Sequence, residues 1–238
     1  MFGARGLIAS LPDERRKTGT ALTTHTFIFA DMSGFTALTE AHGDDAAADL
    51  AAKFSAAVAP RLGKRGAEEV KSIGDALMIR CEDAAESIGL GLEIVHEVGG
   101  QHRFPTIRAG MHTGPATERE GDWFGTTVNL AARVAGEAAG GEVLLTDATR
   151  AALLRPERFN FRERGRVQLR NVSEPVLLFG ALRRGLIATQ DLPIDPVCRM
   201  AVDPESAAGS LQHLGTVYVF CSLACAGRFA VEPERYSC

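Results

Sequence analysis

Two short segments each run from an apolar, strand-like stretch into one carboxylate beside glycine: FIFADMSGFT around Asp31 and EEVKSIGDALM around Asp75. A third, EGDWFGTTVNLAAR, carries Asp122, Asn129 and Arg133. Two carboxylates that meet in space suit a pair of hard cations, because Mg²⁺ takes oxygen ligands and usually completes its shell with phosphate. A Lys, an amide and an Arg nearby would then serve a nucleotide. Each residue also has a plainer reading. Asp31, Ser33 or Thr36 would cap a helix opening at Gly34, while a glycine at the same junction would let phosphate approach the helix N-terminus. Gly74-Asp75 is ordinary turn chemistry, but Lys71 lies on the strand leading into that turn. Strand parity puts it on the face of Ile73 and Asp75 if the turn keeps register. Asn129 and Arg133, four apart on a helix, share a face. They form either a solvated pair or an amide for a sugar oxygen and a guanidinium for phosphoryl charge.

A second set of reactive residues lies in the tail. Cys198, Cys221, Cys225 and Cys238 fall within the last 41 of 238 residues, the first three spaced C-x22-C-x3-C after Asp195-Pro196. In a reducing compartment such a cluster reads as a metal site before it reads as disulfides. Thiolates select Zn²⁺ or a softer ion such as Cu⁺, and a segment too small for a large core gains from a metal staple. The alternative is a reduced, metal-free module. The fourth ligand stays open among His213, Cys238, a water and a partner. His25, His42, His96, His102 and His112 follow no ligand spacing and receive no role, and lone Cys81 reads as a small core residue.

The elements that must position these groups follow from hydrophobic periodicity. THTFIFA reads as a strand, GDDAAADLAAKFSAAVAPRLGKRG as a helix, and GAEEVKSIGDALMIRC as a hairpin turning at Ile73-Gly74-Asp75. EDAAESIGLGLEIVHEV is a second helix, PTIRAGMHTGPA a returning strand and TTVNLAARVAGEA a third helix, with further strands up to about residue 185. That order predicts an α+β fold with a ferredoxin-like βαββαβ core and a small Cys-rich C-terminal domain. The expected divisions are a flexible leader at 1–22, a catalytic domain at 23–185, a linker at 186–192 and a metal-binding domain at 193–238. Apolar residues make up 45% and charged residues 24% of the chain, as in ordinary globular proteins. The net charge of −4 argues against nucleic acid as the main partner. No apolar run approaches the ~20 residues of a membrane span, and no cleavage-site pattern follows the N-terminal GLIAS, so a cytoplasmic protein is expected.

FIFADMSGFTALTE, VKSIGDALM and EGDWFGTTVNLAARV together resemble the class III nucleotidyl cyclase catalytic domain over roughly residues 24–183. The resemblance implies that Asp31 and Asp75 hold two Mg²⁺ or Mn²⁺ ions and that Lys71 and Asp122 read the adenine edge. It further implies that Asn129 orients the ribose, Arg133 stabilises the transition state and Arg170, in VQLRNV, contacts the terminal phosphates. The implied reaction makes 3′,5′-cyclic AMP and pyrophosphate from ATP, in a homodimer whose sites draw on both chains. The tail, through DPVC, YVFCS, Phe229 and Pro233-Glu234, resembles the YHS domain, related to the TRASH metal-binding modules, over roughly 193–237. Arg199 stands where that family usually carries Gly. A metal-bound tail would then regulate an adenylate cyclase. The competing expectations are a nucleotide-binding regulator with weak turnover, or a chiefly metal-responsive protein.

Overall fold

The structure, a computed structural model, describes residues 23–182 and 192–237. The leader at 1–22, most of the linker and Cys238 lie outside the described residues. The chain runs through β1 (Thr24–Met32), α1 (Phe35–His42), α2 (Asp44–Leu62), β2 (Ala67–Ile73), β3 (Ala76–Cys81), α3 (Ala84–Glu93) and β4 (Ile107–Pro115). A short ribbon of β5 (Thr117–Arg119) and β6 (Asp122–Phe124) precedes α4 (Thr126–Glu137). Then come β7 (Val143–Thr146), α5 (Asp147–Ala151), β8 (Asn160–Val167) and β9 (Val176–Leu182). The tail adds β10 (Gly209–His213), β11 (Thr216–Phe220), α6 (Leu223–Val231) and α7 (Pro233–Tyr236).

The main sheet has seven strands in the order β2-β3-β1-β4-β7-β9-β8. Its first four strands are antiparallel neighbours, the arrangement expected of a ferredoxin-like core. β1 sits in the middle and is apolar on both faces. Ile28, Ala30 and Met32 face one core with the buried stripe Leu50, Phe54, Val58 and Leu62 of α2. Phe27 and Phe29 face the other, against Val128, Ala131 and Ala135 of α4. Burying each phenylalanine contributes about 2–3 kcal/mol, so these rings hold α4 to the sheet. A β-carbon on Gly110 of β4 would overlap the backbone of Val134 and Ala135, so glycine there lets α4 lie close. No helix among the described residues is long and apolar enough to cross a membrane.

The tail packs onto the first core rather than standing apart. Val197, Cys198, Met200, Val202, Phe220 and Phe229 join the same buried cluster as α2 and α3. Its backbone also pairs with the segment before β4: Arg103 N donates to Ala201 O at 2.8 Å and Ala201 N to Phe104 O at 2.9 Å. Cys81 is a buried core thiol whose Sγ lies 3.4 Å from Arg65 O.

Beneath the sheet centre, hydroxyls of Thr26, Thr113, Thr149 and Thr146 form a buried chain ending at His112, whose Nδ1 lies 2.7 Å from Thr146 Oγ1. Burial lowers the His112 pKa to about 4. The unfolded chain, with a histidine pKa near 6.5, therefore binds the proton first as pH falls, and stability declines across the window from about 6.5 to about 4. The full contribution is at most about 3 kcal/mol. The melting temperature of His112→Gln should accordingly fall less than that of the wild type between pH 7 and pH 4.5. Parallel losses in the two proteins would contradict a buried neutral imidazole.

Candidate functional site

β1 delivers Asp31 to the sheet edge opposite Ala76 of β3 and Arg108 of β4. Arg108 Nε and Nη2 donate to Asp31 Oδ2 at 3.0 and 2.6 Å. Asp75 occupies the β2–β3 turn, which Gly74 opens with a φ of 63° that few side chains adopt. Burial, a hydrogen bond with Asp31 and the Asp31 charge push Asp75 up to about 7. The Asp75 carboxyl thus lies beside Asp31 and keeps its proton up to about neutrality. A pair of hard oxygen donors in that state fits a divalent cation, which would replace the proton as the neutralising charge. The helix-capping alternative for Asp31, Ser33 and Thr36 fails, because no side chain caps α1. Its first turn opens instead at Gly34, with φ 78°.

Lys71 goes elsewhere. β2 carries a bulge between Glu69 and Lys71, and Lys71 then pairs with Met78. Its Nζ reaches Asp122 Oδ2 at 2.5 Å. Asp122 opens β6, after a tight turn in which Glu120 and Gly121 both have positive φ. The hydrogen bond from Lys71, then one from Trp123 N, holds the Asp122 carboxyl below its ordinary value. Trp123 anchors the ribbon by packing on His25 and Phe27, ring centroids 4.6 and 5.7 Å away. Phe124 is half exposed, with its ring centroid 6.0 Å from Lys71 Nζ.

Asn129 and Arg133 both point to solvent from α4, whose other face packs on the sheet. Neither makes a side-chain hydrogen bond or ion pair among the described residues. Arg170 is exposed in the turn between β8 and β9, beside buried Leu169. One chain therefore joins Asp31 to Asp75 and Lys71 to Asp122. It leaves Asn129, Arg133 and Arg170 open.

In the tail, the free thiols of Cys198, Cys221 and Cys225 converge, with Sγ–Sγ distances of 3.4 Å from Cys198 to Cys221 and 3.8 Å from Cys221 to Cys225. His42, given no role from spacing, completes the cluster: its Nε2 lies 3.6 Å from Cys221 Sγ and 3.8 Å from Cys225 Sγ. His213 turns its ring onto Phe229 instead. Hydrogen bonding to Cys221 and Cys225, with burial, holds the Cys198 thiol far above its ordinary value. Cys225, receiving hydrogen bonds from Cys198 and Cys221, is held far below. Asp195, fully buried, aligns the ligand backbones: Oδ1 accepts from Val197 N at 2.9 Å and Oδ2 from Cys221 N at 2.9 Å. Arg199 takes the left-handed backbone expected of the usual glycine, with φ 64°.

Arg108, His42 and Asp195 belong to these clusters although the sequence reading gave them no role. An arginine inside a strand buried on both faces needs a partner, and Asp-Pro before a cysteine marks a tight turn; both signals were present. His42 lies 156 positions before Cys198, and only the folded chain brings them together.

Comparison with known proteins places these features. The profile of the adenylate and guanylate cyclase catalytic domain matches residues 20–180, and that of the YHS domain matches residues 194–237. The chain is 38% identical over 167 residues to a pH-sensitive adenylate cyclase of Mycobacterium tuberculosis, covering 69% of this chain and 42% of that one. It is 35% identical over 127 residues to an adenylate cyclase of Streptomyces coelicolor, covering 53% and 33%. It thus spans less than half the length of these curated relatives. Among solved structures, an adenylate cyclase from Trypanosoma brucei in its monomeric state aligns with a TM-score of 0.61 at 25% identity, over 67% of this chain and 88% of that one. The adenylyl cyclase CyaB from P. aeruginosa, at 24% identity and TM-score 0.58, covers 68% and 96% and shares the fold.

The ion pair on β6 has a direct signature. In carboxyl-resolved NMR titration, Asp122 should titrate below the usual aspartate range, and Lys71→Met should move it up. An Asp122 titration unmoved by that substitution would contradict the pairing.

Proposed function

The chain belongs to the adenylate and guanylate cyclase catalytic domain family, and from that premise we propose that it converts ATP to 3′,5′-cyclic AMP and pyrophosphate as a homodimer with shared active sites. One observation carries the reading. Within a single chain Asp31, Asp75 and Arg108 form a closed cluster, while Asn129 and Arg133 project into solvent with no partner among the described residues. Groups left open in this way need a second chain to meet a substrate held at Asp31 and Asp75. Exposed apolar surface at Ile73 and Phe124, 51% and 50% accessible beside the same elements, supports a partner there.

Asp31 and Asp75 would hold Mg²⁺ or Mn²⁺, two ions per site, which when bound polarise the α-phosphoryl group and lower the pKa of the attacking ribose hydroxyl. The remaining work falls to side chains. Lys71 donates to, and Asp122 accepts from, the base edge; adenine offers ring-nitrogen acceptors and an amino donor that match this pair. Guanine reverses part of that pattern. Asn129 orients the ribose through its amide. Arg133 faces the negative charge that develops as pyrophosphate leaves, and Arg170 meets the terminal phosphates. Arg108, already on Asp31, holds that carboxylate in place and adds positive charge at the phosphate end. An ATP substrate and reduced, metal-binding thiols support a cytoplasmic setting. The tail, with Cys198, Cys221 and Cys225, binds Zn²⁺ or Cu⁺ and regulates the catalytic domain.

Purified chain with Mn²⁺ should release cyclic AMP from ATP and far less cyclic GMP from GTP. Asp31→Ala should bring product to background, and Arg133→Ala should lower kcat by about 10²–10³-fold. Tight ATP binding without product under any divalent metal would overturn the enzymatic reading, and equal use of GTP would overturn the base assignment.

A further inference from the structure

The tail's cysteines meet a residue of the other domain. His42 is the last residue of α1, in the catalytic domain, yet its Nε2 and the sulfurs of Cys198, Cys221 and Cys225 all lie within 4.8 Å of one another. A tetrahedral zinc centre with Zn–S near 2.3 Å and Zn–N near 2.0 Å sets its ligand atoms about 3.5–3.8 Å apart. Four of the six separations, 3.4, 3.6, 3.8 and 3.8 Å, lie close to that spacing, and the other two are within 4.8 Å. The donor set is also right in kind, since three thiolates and one imidazole make a closed structural zinc site. Asp195 supplies the outer support such sites need, fixing the backbones of both cysteine segments. An open cleft of about 330 Å³, lined by His42, Asp49, Lys53, Arg103, Met200 and Cys221, gives an ion a way in.

We propose that His42 is the fourth ligand of a Cys₃His zinc site built jointly by the two domains, so that the metal clasps the tail onto α1. The proposal deepens the tail's metal-binding role given above and rests on it. What the clasp holds makes the position consequential. α1 is preceded by its cap residue Gly34, three residues after Asp31, and ends at His42. The tail touches it at both ends. At the start, the stem of Arg199, adjacent to ligand Cys198, fills the space a β-carbon on Gly34 would need, 2.7 Å from Arg199 Cγ. Near the end, Arg228 Nη2 donates to Glu40 O at 2.7 Å. The Asp31 loop itself is tied to the same segment, with Ser33 N donating to Thr106 O at 2.8 Å and Thr106 N to Arg199 O at 3.3 Å. Zinc at His42 would therefore stiffen the helix whose first turn follows the catalytic carboxylate, and its loss would loosen it.

The full chain should bind one zinc, measured by competition with a chromophoric chelator, and with Co²⁺ should give the visible bands of a tetrahedral thiolate-rich site. His42→Ala should weaken binding at least about 100-fold and change the Co²⁺ spectrum, whereas His213→Ala should leave both unchanged. His42→Cys should restore affinity with bands shifted toward a Cys₄ site. Zinc should slow hydrogen exchange of the α1 amides at least about tenfold in the wild type but not in His42→Ala. If Cys221→Ser weakens zinc binding and His42→Ala does not, the tail binds metal by itself and the shared site is overturned. If the wild-type chain binds no zinc, both the site and the tail's metal role fall.

Discussion

The catalytic end of the molecule depends on two carboxylates that cannot both be ionised there without a compensating charge. Asp31 and Asp75 are brought together by a strand and a hairpin turn whose registers are set by core packing, not by the carboxylates themselves. Arg108 neutralises Asp31, and Asp75, raised to about 7, keeps its proton up to about neutrality. Such a pair is unfavourable as pure structure. It is intelligible as a site held ready for cations, which replace the proton and draw in phosphate. The central strand β1, buried on both faces, provides the rigidity this requires.

Two candidate metal sites then sit at opposite ends of one short helix. Hard oxygen donors precede α1, and the thiolate cluster with His42 follows it. His42 stands only eight positions beyond Gly34, so whatever fixes the far end of α1 bears directly on the loop that carries Asp31. The tail reinforces this with Arg199 in the left-handed region. A glycine there would keep the turn but remove the stem that packs on Gly34. Arginine in place of glycine thus packs the tail against the loop that carries Asp31.

Much of this was legible in the chain. The apolar alternation of β1, the stripe of α2 and the Gly-Asp turn predict their elements because burial and turn sterics are local. Asp31 and Asp75 could be paired on paper since each ends an apolar run, and Lys71 and Asp122 could be grouped by the resemblance they carry. What could not be read was long-range and one residue at a time. His42 has no local signature as a ligand; only the docking of the tail onto α1 assigns it. Arg108 has no local sign of its partner; only the pairing of β4 with β1 sets it beside Asp31. The Lys71 parity argument would have aimed its side chain at Asp75, but the bulge at Glu69–Lys71 and the ribbon of β6 supply Asp122 instead.

The claim on which the functional reading rests is that the carboxylate pair of one chain works on substrate held by Asn129 and Arg133 of another. Mixing an Asp31→Ala chain with an Asn129→Ala chain tests it most directly, each variant being silent on its own. After subunit exchange, half the dimers are mixed and each keeps one intact site, so cyclic AMP synthesis should return to roughly a quarter of the wild-type rate per chain. A mixture that stays silent, although both variants fold and form mixed dimers, would contradict a shared site.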